Sequence, residues 1–195
     1  MNSFRLERDP DGLLTVTMDM PGQGANTMSG RFQADFIALV GQLEKEKDAL
    51  SGVVLASAKK SFFAGGDLEE LMTWGPGDGP RAFRELEALK SAMRRLEKLG
   101  RPVVAALGGA ALGGGWELAL CCHQRVCVDD PKVELGLPEC TLGLLPGAGG
   151  IVRMVRHLGL QVALPYLLEG RTLMTGEYIS DARVKLRDQL HGPYV

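Results

Sequence analysis

The chain has 195 residues, 45% of them apolar and 24% charged, with a formal net charge of −2. That is enough chain for one domain with a substantial core, and so mild a charge excludes binding of nucleic acid or an anionic membrane through bulk electrostatics. No apolar run approaches the ~20 residues of a bilayer span, and the N-terminal MNSFRLERDPDG lacks an apolar signal core, so a cytoplasmic protein is expected.

Residues 4–8 and 13–19 read as two strands joined by a turn at Asp11-Gly12. Ser29 is placed to cap a helix with Phe32, Phe36, Leu39 and Leu43 on one face, which ends in the solvated EKEKD. Residues 52–58, GVVLASA, suit a buried strand. After the loop KKSFFAGG, Asp67 starts a short helix, DLEELM. Gly and Pro crowd residues 73–80, TWGPGDGP, predicting a loop that, with the C-terminal tail, is the most mobile part of the chain.

A long helix over 81–99 places Phe83, Leu86, Leu89, Met93 and Leu96 on one side, and Arg101-Pro102 breaks it. Residues 103–107 form another buried strand, and GGAALGGG leads into a helix near Trp116. Short strands follow at 124–128 and 132–135, then the loop LGLLPGAGG and a helix over 151–157. This alternation implies an α/β layered domain with no internal linker. Residues after 171 fit less well; they could hold a helix over 181–190 with no evident partner. Cys121, Cys122, Cys127 and Cys140 lack paired CxxC spacing, so buried free thiols in a reducing compartment are preferred over a zinc site with His123.

Three glycine-rich segments carry candidate chemistry. In SFFAGGDL (61–68) the glycines allow backbone N–H groups to face a ligand oxygen, although a plain strand-to-helix turn would look the same. In AALGGGWEL (110–118) three glycines precede a helix start, where free N–H groups can bind an oxyanion; close packing, with Glu117 complementing the helix dipole, is the alternative. The run is neither a GxGxxG fingerprint nor a GK[ST] phosphate loop. In LGLPECTLGLLPGAGG (135–150) Glu139 sits among apolar residues, where desolvation would raise its pKa for proton transfer; an exposed loop glutamate beside Pro138 is the alternative. Together the segments suggest two N–H groups polarising a carbonyl and two carboxylates handling protons, as an enolate-forming reaction demands.

These segments, in this order, resemble the signatures of the crotonase superfamily, the enoyl-CoA hydratases and isomerases, and PGQGANTM (21–28) resembles its early substrate loop. The resemblance covers roughly residues 4–171. FFAGGDL and LPECTLGLLPGAGG look most like the N-terminal hydratase portion of multifunctional β-oxidation proteins.

The resemblance implies a spiral of repeated ββα units. It makes Gly66 and Gly114 the oxyanion-hole residues, Glu117 and Glu139 the catalytic glutamates, and Gly147 a backbone position that helps to orient water. Ala25, Asn26, Ala64, Gly65, Asp67 and Leu68 fall where the family binds the CoA substrate, and Lys59 and Lys60 are candidates for its phosphates or else solvated lysines. It implies an acyl-CoA substrate, no metal or redox cofactor, and a homotrimer or larger β-oxidation assembly. Residues 1–171 are thus read as the acyl-CoA-binding catalytic core and 172–195 as an atypical or truncated tail without the family's usual C-terminal helices. The expected reaction is syn addition of water to trans-2-enoyl-CoA. Enoyl-CoA isomerisation and a non-catalytic acyl-CoA-binding or assembly subunit are the rivals.

Overall fold

The computed structural model describes residues 1–174. In chain order the elements are β1 (Phe4–Arg8), β2 (Leu13–Met18), α1 (Gly30–Glu46), β3 (Gly52–Ser57), α2 (Leu68–Met72), α3 (Gly79–Glu97), β4 (Val103–Leu107) and β5 (Ala111–Leu112). There follow α4 (Gly114–Leu120), β6 (Gln124–Cys127), β7 (Glu134–Gly136), α5 (Gly150–Leu158), α6 (Leu160–Glu169) and β8 (Thr172–Met174).

β1 and β2 form the predicted antiparallel hairpin, with Phe4 opposite Met18. Its turn is closed by Asp9, whose Oδ1 accepts from the amides of Asp11 and Leu13. Ser29 caps α1 as expected, its Oγ accepting from the Phe32 amide at 3.3 Å, which satisfies one donor that a helix start leaves unpaired. Phe32, Phe36, Leu39, Val40 and Leu43 form the buried stripe. The Phe32 ring meets Phe4 at 5.1 Å and Phe63 at 4.8 Å, tying the hairpin, α1 and the first glycine-rich segment into one core.

The main sheet runs β1-β2-β3-β4-β6, parallel from β2 onward. Parallel neighbours need long crossovers, and α1, the α2–α3 segment and α4 supply them in turn. A second sheet, β5-β7-β8, pairs β5 with β7 in parallel and β7 with β8 antiparallel.

Several elements differ from those predicted. β8 gives the residues just after Arg171 a partner in β7, and its Leu173 is buried; the helix predicted over 181–190 lies outside the described residues. Only the second half of α3 packs inward through Leu89, Ala92, Met93 and Leu96, so Phe83 is 67% exposed. The 73–80 loop contains a 3-10 turn, Pro76–Asp78, in which Asp78 Oδ2 accepts from the Gly75 amide at 2.8 Å. α6 adds a helix to those predicted; Pro165 stands inside it, and burial of Ala163 and Leu167 outweighs the local penalty. Cys121 and Cys122 are buried free thiols, whereas Cys127 and Cys140 are free but only half-buried, and His123 Nδ1 accepts from the Val103 amide at 3.0 Å.

Candidate functional site

β3 and β4 are adjacent and parallel, so the chain leaves both at the same edge of the sheet, where α/β folds place their ligands. The 58–67 and 108–113 connections therefore run side by side, although fifty residues separate them in sequence. Leu112 N donates to Phe63 O and Phe63 N donates to Ala110 O, each at 3.1 Å. The second sheet brings in the third segment: β7 pairs with β5, and the Pro138–Leu142 3-10 turn follows it.

Two glycines of the triplet have their own reason to be glycine, and the third offers a free amide. Gly113 has φ +52°, a conformation that a Cβ disfavours, and its amide donates to Gly136 O at 2.8 Å. Gly114 is the first residue of α4, so its amide has no intrahelical acceptor. A Cβ on Gly115 would lie 2.4 Å from Phe63 Cβ. We expect Gly115→Ala to destabilise the fold by about 1–3 kcal/mol, the scale of overpacking, as measured by urea denaturation. An unchanged midpoint would mean that α4 can retreat from Phe63.

In the first segment, Met28 N donates to Gly65 O at 2.8 Å. Among the described residues, the amides of Gly66 and Gly114 donate to no protein acceptor. Both border one cavity of about 530 Å³. Its apolar wall includes Met28, Leu71, Trp74, Leu86, Leu112 and Leu145. These were missed in the sequence because an apolar side chain facing a cavity has the same spacing as one facing the core.

Glu117 and Glu139 border the same cavity. Glu117 is 3% exposed, and its Oε1 accepts from the amides of Ala148 at 2.8 Å and Gly150 at 2.7 Å. Burial raises its pKa, while those two amides and the charges of Arg153 and Lys90 oppose the rise. Glu139 differs: its buried Oε2 has no hydrogen-bond partner. Burial pushes its pKa up to about 7; its own backbone amide opposes this and the charge of Glu117 adds to it. The site thus holds one carboxylate gripped by two amides and a second left poorly solvated near neutrality.

Gly147, Ala64, Gly65, Asp67 and Leu68 also border the cavity. Asp67 in addition caps α2, its Oδ1 accepting from the Glu70 amide at 3.1 Å. Ala25 and Asn26 are not brought to the cavity wall. The Asn26 side chain is fully buried, with Oδ1 accepting from Met20 N at 3.0 Å and Nδ2 donating to Met18 O and Ser57 Oγ. It pins its loop to the sheet. Lys59 pairs with Asp19 at 2.8 Å, while Lys60 is exposed.

The family model for enoyl-CoA hydratase/isomerase matches residues 8–180. The fatty acid oxidation complex subunit alpha of Shewanella oneidensis is 42% identical over 172 residues, which are 88% of this chain and 24% of that protein. The enoyl-CoA hydratase of Bacillus anthracis is 28% identical with a TM-score of 0.82, over 92% of this chain and 67% of that one. A crystal structure from Geobacillus kaustophilus, 24% identical, shares the fold with a TM-score of 0.85, over 93% of this chain and 66% of that one. The chain therefore spans about a quarter of the length of the curated relatives it matches and about two thirds of these solved chains.

Proposed function

This chain belongs to the enoyl-CoA hydratase/isomerase family of the crotonase superfamily, and from that premise we propose that it adds water across the double bond of a trans-2-enoyl-CoA thioester, as a step of fatty-acid β-oxidation. The observation that carries this reading is that Glu117 and Glu139 border one apolar cavity together with the undonated amides of Gly66 and Gly114. An isomerase can shuttle a proton with one carboxylate, whereas hydration takes a proton from water and delivers one to carbon on the same face, which suits two.

In this mechanism the thioester oxygen sits about 3 Å from the amides of Gly66 and Gly114, which stabilise the negative charge that develops there. Glu117, with Oε1 gripped by two amides, acts as base toward the water, and the Gly147 backbone helps to orient it. Glu139, half-protonated near pH 7, delivers a proton to the α-carbon. Ala64, Gly65, Asp67 and Leu68 contact the CoA portion, and the apolar wall takes the acyl chain. Self-association into a trimer or larger assembly belongs to the same proposal, and sedimentation velocity tests it.

The deciding assay is hydration of crotonyl-CoA by the purified chain, followed by loss of the enoyl absorbance. No turnover with crotonyl-CoA or a longer 2-enoyl-CoA would overturn the reading in favour of an acyl-CoA-binding subunit. Conversion of a 3-enoyl-CoA without hydration would favour isomerisation. The pH dependence follows from Glu139. An acid is competent only while protonated, so kcat/KM should fall as pH rises through about 7. In Glu139→Gln that limb should vanish from the residual activity. A flat wild-type profile through neutrality would remove Glu139 from the acid role.

A further inference from the structure

We propose that Arg153, anchored by Glu97, is a positioning residue for Glu117, clamping from behind the turn whose amides hold that carboxylate. The inference rests on the two-glutamate reading above.

Arg153 lies in α5 and is only 9% exposed. Its Nε donates to Glu97 Oε1 at 2.6 Å, and its Nη1 donates to the Ala148 carbonyl at 2.8 Å. The amide of the same residue, Ala148, donates to Glu117 Oε1. One residue thus links the guanidinium to the carboxylate, and the Gly150 amide completes the grip. The turn is shaped to admit the guanidinium: Gly149 has φ +97°, and a Cβ there would lie 2.5 Å from Arg153 Nη1. Glu97, the last residue of α3, is itself fixed, since its Oε2 accepts from Arg94 Nη1 at 2.8 Å. The planar fork of arginine makes both divergent bonds at once, which a lysine ammonium on a flexible stem does less well.

A buried ion pair contributes little net stability compared with a packed apolar pair, so a role in orientation accounts better for the arrangement. The groups that face Glu117 are Glu139 from the Pro138–Leu142 turn, Arg153 from α5 and Lys90 from α3, and both cations favour its ionised form. Arg153 in turn faces Glu97, Glu117 and Cys121. Removing Arg153 therefore does two things: it frees the Ala148–Gly150 turn and takes away a cation that favours the ionised form of Glu117 against burial.

The test is a direct titration of Glu117 by carbon NMR in protein labelled with glutamate enriched at the carboxyl carbon. The signal is assigned by its absence in Glu117→Gln. Arg153→Met should move the midpoint up, because a cation that favours the ionised form is lost and the turn that holds the carboxylate is freed. Arg153→Lys should give a smaller upward shift. Glu97→Gln should move it up by less, because it weakens the anchor while the glutamine oxygen can still accept from Arg153 Nε. In hydration assays kcat should fall in Arg153→Met with KM little changed. Lower thermal stability with an unmoved Glu117 midpoint would reduce Arg153 to a structural role and overturn the inference. So would a downward shift of that midpoint in Arg153→Met. Should Arg153→Met not fold, Arg153→Lys and Glu97→Gln carry the comparison. The titration needs no turnover, so a chain that fails to hydrate crotonyl-CoA counts against the proposed function alone.

Discussion

Replacing Glu117 or Glu139 with glutamine should each lower the hydration rate of crotonyl-CoA by roughly 100-fold or more, the usual scale for general acid–base residues. Glutamine keeps the volume and removes the titrating group. At position 117 the amide oxygen can still accept from Ala148 and Gly150, so the turn should keep its shape and the loss should fall on kcat. At position 139 the substitution replaces a carboxyl whose Oε2 has no partner, so the fold should tolerate it and gain in stability relative to the native chain as pH rises from 4.5 to about 7. The sign follows from the raised pKa. Burial disfavours the charged form, so native Glu139 costs stability increasingly as pH rises from its ordinary value of 4.5, where the unfolded chain ionises, to about 7, above which the cost is constant; glutamine carries no charge. In the proposed mechanism the two groups act on one water, so the double variant should lose far less than the product of the single losses. Retention of near-wild-type hydration by either single variant would sink the two-glutamate mechanism.

Gly114→Pro should cost at least about 100-fold in kcat, the scale for loss of one oxyanion-hole donor. Proline is at home at the first position of a helix, where its missing N–H breaks no helical bond, so α4 should persist. Gly114→Ala is the matched control. It keeps the amide, and its Cβ would press only on the flexible Met28 side chain, with Met28 Cε 3.3 Å away. It should therefore be much the milder change. Circular dichroism establishes that both variants fold. Equal activity in the proline and alanine variants would show that the Gly114 amide does not stabilise the developing charge, and the oxyanion hole would have to lie elsewhere.

Much of the scaffold was legible in local pattern. The hairpin, the Ser29 cap with its apolar stripe, and the strands at 52–57 and 103–107 follow from periodicity and capping chemistry that act within one or two turns of chain. The three glycine-rich segments stood out because backbone freedom is written into residue type. α6 was not legible, since Pro165 argues against a helix locally and only burial of Ala163 and Leu167 decides otherwise. β8 could not be read either, because three residues make a strand only when β7 lies beside them.

What the sequence by itself determined about the site is the set of groups: two glutamates and the glycines around them. Which partners those groups have was decided by tertiary structure alone. Glu117 looked able to complement the dipole of its own helix; it instead accepts from amides 31 and 33 residues away, at the start of α5. Asn26 falls in the loop that the resemblance assigns to substrate, and tertiary structure adds that its side chain, buried among Met18, Met20 and Ser57, pins that loop. Glu139 was ambiguous until β5 and β7 paired and carried it to Gly113, away from water and toward the charge of Glu117. The physical reason is one of range. Propensity, capping and glycine conformation act between neighbours in the chain, whereas desolvation and charge coupling depend on whatever surface folding brings within a few ångströms, and no local pattern encodes that.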